Sequence, residues 1–93
     1  MTFHVTRVKS SLKWAVICIT PSSFTVFLEL LEFFSRKYSP LISEIVMISD
    51  CDADFKLFNS RISMQIDLWE ISLAFSDHEV SRIVMKDLHD YLL

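Results

Sequence analysis

Glycine is absent from all 93 residues, although an average domain would contain about 7%. Loops that hold nucleotide phosphates need glycine so that backbone N–H groups can approach the anion, and neither the dinucleotide nor the P-loop fingerprint is present. We therefore exclude the ATP, GTP and NAD enzymes of those classes and expect no cofactor. Every turn has to be made by serine, asparagine, aspartate or proline.

Cysteine is scarce, and long hydrophobic runs are missing. Cys18 and Cys51 form no C-x-x-C pair, so the sequence indicates neither a zinc site nor a disulfide framework. The apolar run at 14–19 is shorter than the roughly 7–15 residues of a signal-peptide core. No segment approaches the ~20 apolar residues of a membrane span. We expect a cytoplasmic protein with free thiols and no membrane contact.

Charge is unevenly distributed along the chain. The formal net charge is −3, but residues 1–21 contain three bases and no acid, so residues 22–93 contain six bases and twelve acids, a net charge of −6. A phosphate backbone is bound mainly by clustered lysine and arginine, which argues against DNA or RNA as the direct partner. A basic protein partner is favoured instead.

The first half of the chain predicts a hairpin, a helix and a third strand. Phe3 and Val5 alternate with polar residues, and the apolar run at 14–19 is typical of a strand central in a sheet. A helix is predicted over 21–38, with Thr20 as its cap, Pro21 at its first position and Pro40 as its stop. Its polar residues form one narrow stripe, so apolar residues cover most of its circumference. The helix therefore either lies between the sheet and a second helix or meets another chain. Residues 41–49 read as a third strand, and a parallel, right-handed crossover is expected if both flanking strands share a sheet.

The second half predicts a loop at 50–54, a short strand at 55–58, a turn at Asn59-Ser60 and a final helix. Ser76 and Glu79 have the spacing of a capping box for that helix. The whole chain is predicted to be one α+β domain, residues 1–93, in the order ββαβββα. We expect a two-layer fold, with a roughly five-stranded mixed or antiparallel sheet and two helices on one face. A winged helix, the main alternative, fits less well because strands precede the first helix and no helix is basic.

The apolar phase shifts in the middle of the segment `SRISMQIDLWEISLAFSD`, residues 60–77. Even positions are apolar up to Leu68, and odd positions are apolar from Ile71 to Phe75. Because no glycine, proline or asparagine lies between Ser63 and Phe75, the pattern favours one long strand with a β-bulge at Leu68-Trp69 over a turn. At such a bend Asp67, Trp69 and Glu70 point outward together, and an exposed tryptophan between two acids is a candidate binding anchor. The alternative is that Trp69 covers the edge of the core.

Acids dominate residues 43–70, which contain six acids and two bases, a local net charge of −4. The candidate partner-binding residues are Glu44, Asp50, Asp52, Asp54, Asp67, Trp69 and Glu70. If the strands that carry them adjoin, the carboxylates gather on one side of the sheet and complement a basic surface. Asp50, Asp52 and Asp54 have the spacing of the first ligands of a calcium loop, but Phe55 and Arg61 stand where glycine and glutamate are needed, so we expect no metal.

No spacing of serine, histidine and acid supports a catalytic triad, so we predict no catalytic residues and no enzyme. The leading interpretation is a small non-enzymatic cytoplasmic protein that inhibits or neutralises a basic partner, such as the immunity protein of a bacterial nuclease toxin. One alternative is an assembly subunit that forms a homodimer through its apolar helix. A second alternative is a small hydrolase with carboxylate chemistry, which requires acids of raised pKa in a concave pocket.

Overall fold

A computed structural model describes residues 3–39 and 41–93 of the chain, within which six strands and two helices alternate as ββαββββα. The elements are β1 (His4–Ser10), β2 (Ala15–Thr20), α1 (Phe24–Lys37), β3 (Val46–Ser49), β4 (Asp52–Leu57), β5 (Ser60–Ile66), β6 (Ile71–Phe75) and α2 (His78–Leu92). The predicted α+β class is confirmed. Among the described residues, neither helix is long and apolar enough to cross a membrane.

The six strands form one sheet in the order β1-β2-β6-β5-β4-β3, and every neighbouring pair is antiparallel. Because each successive neighbour reverses direction, β2 and β3 run the same way, as the strand-helix-strand pattern predicts. They are nevertheless not neighbours, since β6, β5 and β4 lie between them. The connection through α1 therefore carries the chain from one half of the sheet to its far edge.

The predicted bulge at Leu68-Trp69 is wrong: residues 67–70 form a four-residue hairpin loop between two strands. Ile66 pairs with Ile71 and Met64 with Leu73, so the residues on either side of the loop share one face. An even-numbered loop necessarily moves the inward residues from even to odd positions, which explains the shift of phase. The sheet therefore has six strands where the sequence predicts about five.

One face of the sheet is buried and the other is open. Inward residues alternate with polar or small ones along β4, β5 and β6, and the inward set is almost fully buried: Ala53, Phe55, Leu57, Ile62, Met64, Ile71, Leu73 and Phe75. Both helices pack on this face and belong to the same apolar cluster. Burying one face of a sheet beneath helices is the ordinary way for a two-layer α+β domain to build its core.

Helix α1 is shorter than predicted because Ser23, and not Thr20, caps it. The Ser23 hydroxyl accepts a hydrogen bond from the Val26 N–H at 3.1 Å, which satisfies an orphan donor of the first turn. The helix ends at Lys37, and the predicted stop, Pro40, lies outside the described residues. Its apolar excess is explained by contacts on two sides. The Phe34 ring lies 5.0 Å from that of Phe55 on β4. On the other side, the Phe33 ring lies 5.0 Å from that of Tyr91 on α2.

Helix α2 is capped by Asp77, one residue after the predicted Ser76. The Asp77 carboxylate accepts hydrogen bonds from the N–H groups of Glu79 and Val80. Ser76, the residue after β6, instead bonds to β5, since its hydroxyl accepts a hydrogen bond from the Arg61 N–H at 3.0 Å. Serine and aspartate are both good helix caps. Because Ser76 bonds to β5, Asp77 is the residue that caps the helix.

Two turns are also displaced from their predicted positions. The loop predicted over 50–54 is only a short turn, because β4 already begins at Asp52. The tight turn predicted at Asn59-Ser60 lies one residue earlier, at Phe58-Asn59, where φ is 52° and 64°. Two successive positive φ values are what a type I′ hairpin requires, and Asn59 tolerates one of them easily. Phe58 is held there by an edge contact with the buried Tyr38 ring, 6.0 Å between centroids.

Candidate functional site

The loop between β5 and β6 is shaped by the carboxylate of its first residue. Asp67 Oδ1 accepts hydrogen bonds from the N–H groups of Trp69 at 2.8 Å and Glu70 at 2.9 Å. The Asp67 N–H in turn donates to the Glu70 carbonyl at 3.1 Å. An aspartate that binds backbone N–H groups two and three residues ahead replaces the glycine or asparagine of an ordinary tight turn. The loop is thereby held in one conformation.

This loop projects two large apolar side chains into solvent. Leu68 is 88% exposed and Trp69 is 81% exposed, so Trp69 does not cover the edge of the core. Tryptophan is enriched among the residues that anchor protein–protein contacts, because it offers a large area at small entropic cost. Of the two interpretations that the sequence left open, the structure shows the exposed Trp69, and a hairpin loop, not a bulge, presents it.

A groove of about 530 Å³ lies beside the loop at the same end of the sheet. Its lining is Ser22, Phe24, Asp50, Cys51, Ile66, Asp67 and Leu68. Two hydrogen bonds join the segments that form it: the Ser22 hydroxyl donates to the Asp67 carbonyl, and the Ile66 N–H donates to the Cys51 carbonyl at 2.9 Å. We call the groove together with the exposed Trp69 the loop-end surface. It combines apolar side chains with two exposed acids, Asp50 and Asp67.

Glu70 belongs to a different contact and does not point outward with Trp69. Its carboxylate forms an ion pair with Arg7 on β1 at 2.6 Å, and its side chain is only 14% exposed. The Arg7 guanidinium, which also donates a hydrogen bond to it, holds the pKa of Glu70 below its usual range. Cys18 is buried near this pair, and burial raises the pKa of its thiol. The pair joins β1 to the start of β6, so Glu70 has a structural role.

The remaining predicted residues do not gather with the loop. Asp52 and Asp54 face the open side of the sheet, opposite Gln65 and Ser63 in the register. Asp54 forms an ion pair with Arg61 at 3.1 Å, and Asp52 accepts a hydrogen bond from Ser49. Glu44 is exposed in the irregular segment that leads into β3. Of the seven predicted residues, Asp50 and Asp67 line the groove together, and Trp69 lies on the same loop as Asp67.

Sequence reasoning missed Phe24 and Leu68 as parts of the site. Phe24 is 52% exposed at the first position of α1, a helix whose apolar residues cover most of its circumference. Leu68 continues the even-numbered apolar pattern of β5 and so resembles a core residue. A signal exists for Leu68, because an aspartate at the end of a regular alternation can begin a turn.

We expect Asp67 to stabilise the loop and to contribute to the loss of folding stability at low pH. Its pKa is lowered because the Glu70 and Trp69 N–H groups donate to the ionised carboxylate. A lowered folded-state pKa means that this stabilisation is present above the unfolded-state pKa and is lost as the pH falls through the folded one. Asp67→Ala should lower the midpoint of urea unfolding at pH 7, whereas Asp67→Asn, which keeps an acceptor oxygen, should lower it less.

The measurement is urea unfolding at pH 7 and pH 3 for the wild type and both variants. The two midpoints of the wild type should differ more than those of either variant. Equal pH sensitivity in all three proteins would show that Asp67 does not contribute in its ionised form.

Among the residues that the structure describes, no three histidine, cysteine or acidic side chains lie together as metal ligands would. In comparisons of the chain with protein-family models, with curated proteins and with solved structures, nothing matches.

Proposed function

We propose that this protein is a non-enzymatic binding protein that inhibits or neutralises a basic protein partner through its loop-end surface. The observation that carries the proposal is Trp69, 81% exposed on a loop that Asp67 fixes by two backbone hydrogen bonds. A loop whose backbone is already ordered loses less conformational freedom on binding, and so more of the contact energy of its side chains remains as affinity. An immunity protein of a bacterial nuclease toxin is the kind of protein that this arrangement suits, by analogy of class alone.

Charge supports a basic partner for this surface. Asp50 and Asp67 line the groove beside the apolar Phe24 and Leu68, which gives a lysine or arginine side chain both an acidic contact and an apolar wall for its methylene stem. Asp52 and Asp54 lie on β4, which begins directly after the turn that contains Asp50, and they add to the negative field. Complementary charge raises the association rate and the selectivity more than the final affinity.

The function is tested by inhibition. A basic protein captured from extract of the native host on immobilised protein, and released at high salt, is purified and assayed for nuclease activity with increasing amounts of this protein. We expect loss of activity at one equivalent. Full activity at a saturating concentration of this protein would contradict the inhibitor function while leaving binding itself intact.

We predict that the combined substitution Asp50→Asn, Asp52→Asn and Asp54→Asn slows association and flattens its dependence on salt. The three carboxylates act at a distance, so their removal reduces electrostatic steering more than it affects the dissociation rate. Stopped-flow association with the captured partner at low and high ionic strength measures both effects. An unchanged on-rate at low salt would exclude these three acids from steering.

A homodimer remains the second candidate, and the observation that favours it is at the start of α1. Most of the apolar residues of that helix are buried in the protein's own core, but Phe24 is 52% and Leu28 48% exposed on neighbouring turns. Sedimentation equilibrium separates the two proposals. A monomer at every concentration supports the inhibitor, and a dimer that Leu28→Lys dissociates supports assembly.

A further inference from the structure

The outer strand β3 presents a free edge of the sheet. It pairs with β4 on one side, and among residues 3–39 and 41–93 no strand pairs with its other side. Its apolar side chains are unusually exposed for a strand: Val46 52%, Met47 45% and Ile48 62%. Backbone groups that face away from β4 are available to another extended chain, and an exposed apolar edge is the usual template for such pairing.

The opposite edge of the sheet differs from β3. Strand β1 carries Arg7 and Lys9 and has a register shift between Val5 and Arg7, which are devices that discourage further strand pairing. Strand β3 has only four residues and a register shift of its own between Met47 and Ser49, but it has no charged residue. Of the two edges, β3 is therefore the one suited to accept a strand.

Charges around β3 indicate what kind of strand it accepts. Glu44 precedes the strand and Asp50 follows it, so an acid stands near each end. Two copies paired antiparallel about Met47 would place Glu44 of each chain opposite Asp50 of the other, and like charges opposite one another are destabilising. A segment with lysine or arginine near its ends would meet these acids favourably instead.

We propose that β3 is a strand-addition site for an extended basic segment of the partner, in which apolar residues alternate with polar ones and lysine or arginine stands at the ends. In this recognition mode backbone hydrogen bonds supply affinity, and alternate side chains supply selectivity. The site rests on the proposed function and says how the basic partner is held. Asp50 follows β3 and also lines the groove of the loop-end surface, so the two proposed contact regions share this acid.

The test uses a seven-residue peptide, acetylated and amidated, that alternates valine and threonine and carries a lysine at each end. It is titrated to millimolar concentration into the 15N-labelled full chain at low salt, with the same peptide ending in glutamate as a control. We expect amide shifts concentrated in residues 44–50, slower hydrogen exchange at alternate amides of β3, and binding roughly tenfold tighter for the lysine peptide than for the glutamate peptide.

The double variant Glu44→Lys, Asp50→Lys should reverse this preference, because both positions are exposed and outside the core. Asp90→Lys, an exposed change on α2, should leave it unaltered. Shifts that map to β1 or α1, an absence of protection in β3, or self-association of the chain with no peptide response would each overturn the proposal.

Failure of strand addition is distinguishable from failure of the proposed function. If Glu44→Lys, a change outside the loop-end surface, still captures and inhibits the basic partner as the wild type does, the inhibitor function stands and β3 is not its contact. If β3 binds the peptide but the native host yields no basic partner, the edge is a peptide site and the inhibitor function fails.

Discussion

Trp69→Ala is expected to weaken partner affinity by about 2 kcal/mol, or roughly thirtyfold in Kd, while leaving the fold unchanged. The side chain is 81% exposed, so its truncation leaves no cavity in the core. Only its backbone N–H takes part in the loop, as a donor to Asp67, and alanine retains that group. The affinity is measured by titration calorimetry with the captured partner and the stability by urea unfolding.

Leu12→Ala is the matched control for that variant. Leu12 is also fully exposed, in the connection between β1 and β2 at the opposite end of the sheet. It should change neither affinity nor stability. A fall in unfolding free energy with unchanged affinity for Trp69→Ala would show that Trp69 stabilises the fold and is not a contact.

Phe34→Ala is expected to lower the free energy of unfolding by about 3–5 kcal/mol, the range for large-to-small changes of buried aromatic residues. Phe34 is fully buried and its ring lies 5.0 Å from Phe55, 5.4 Å from Phe33 and 5.8 Å from Tyr38. Removing it opens a cavity where α1 meets the sheet. Since small domains are stable by only about 5–15 kcal/mol, the variant should be unfolded by much less urea.

Phe24→Ala provides the comparison on the same helix. Phe24 is 52% exposed, so the same chemical change should cost far less stability while reducing partner affinity through the groove. Equal losses of unfolding free energy in the two variants would contradict the division of α1 into a buried part and a part belonging to the loop-end surface.

Much of the fold could be predicted because the spacing of apolar residues reflects which face of an element is buried. In this protein the apolar residues recur regularly along those buried faces. The alternation at Ile62, Met64 and Ile66, and the helical spacing of Val80, Val84 and Leu88, each correspond to one buried face. The α+β class and the order of elements follow from these patterns, except that β5 and β6 are predicted as one strand.

Element ends were harder to predict, because several residues compete for the same role. Ser23 and Thr20 can both cap a helix, and Ser76 and Asp77 likewise, so strand pairing decides which of them does. The turn at Asp67 is not predicted, because no glycine, proline or asparagine lies between Ser63 and Phe75. The Asp67 carboxylate performs the task of those residues through two hydrogen bonds to the backbone.

The site could be predicted only in part, since it depends on contacts between distant segments. Trp69 is recognisable from its two acidic neighbours, whereas Phe24 joins it only because α1 begins beside the loop. The pairing of Glu70 with Arg7, 63 residues away, leaves no mark in local sequence. Net charge over a segment therefore overestimates how many acids are available to a partner.

Capture of a partner from extract of the native host tests the central claim most directly. Wild type, Trp69→Ala and Leu12→Ala are immobilised side by side, and bound proteins are identified by mass spectrometry at low and high salt. We predict one basic protein, retained by the wild type and Leu12→Ala at low salt, released from both at high salt, and much reduced on Trp69→Ala. Equal retention on all three proteins, or recovery of this chain alone, would contradict the account.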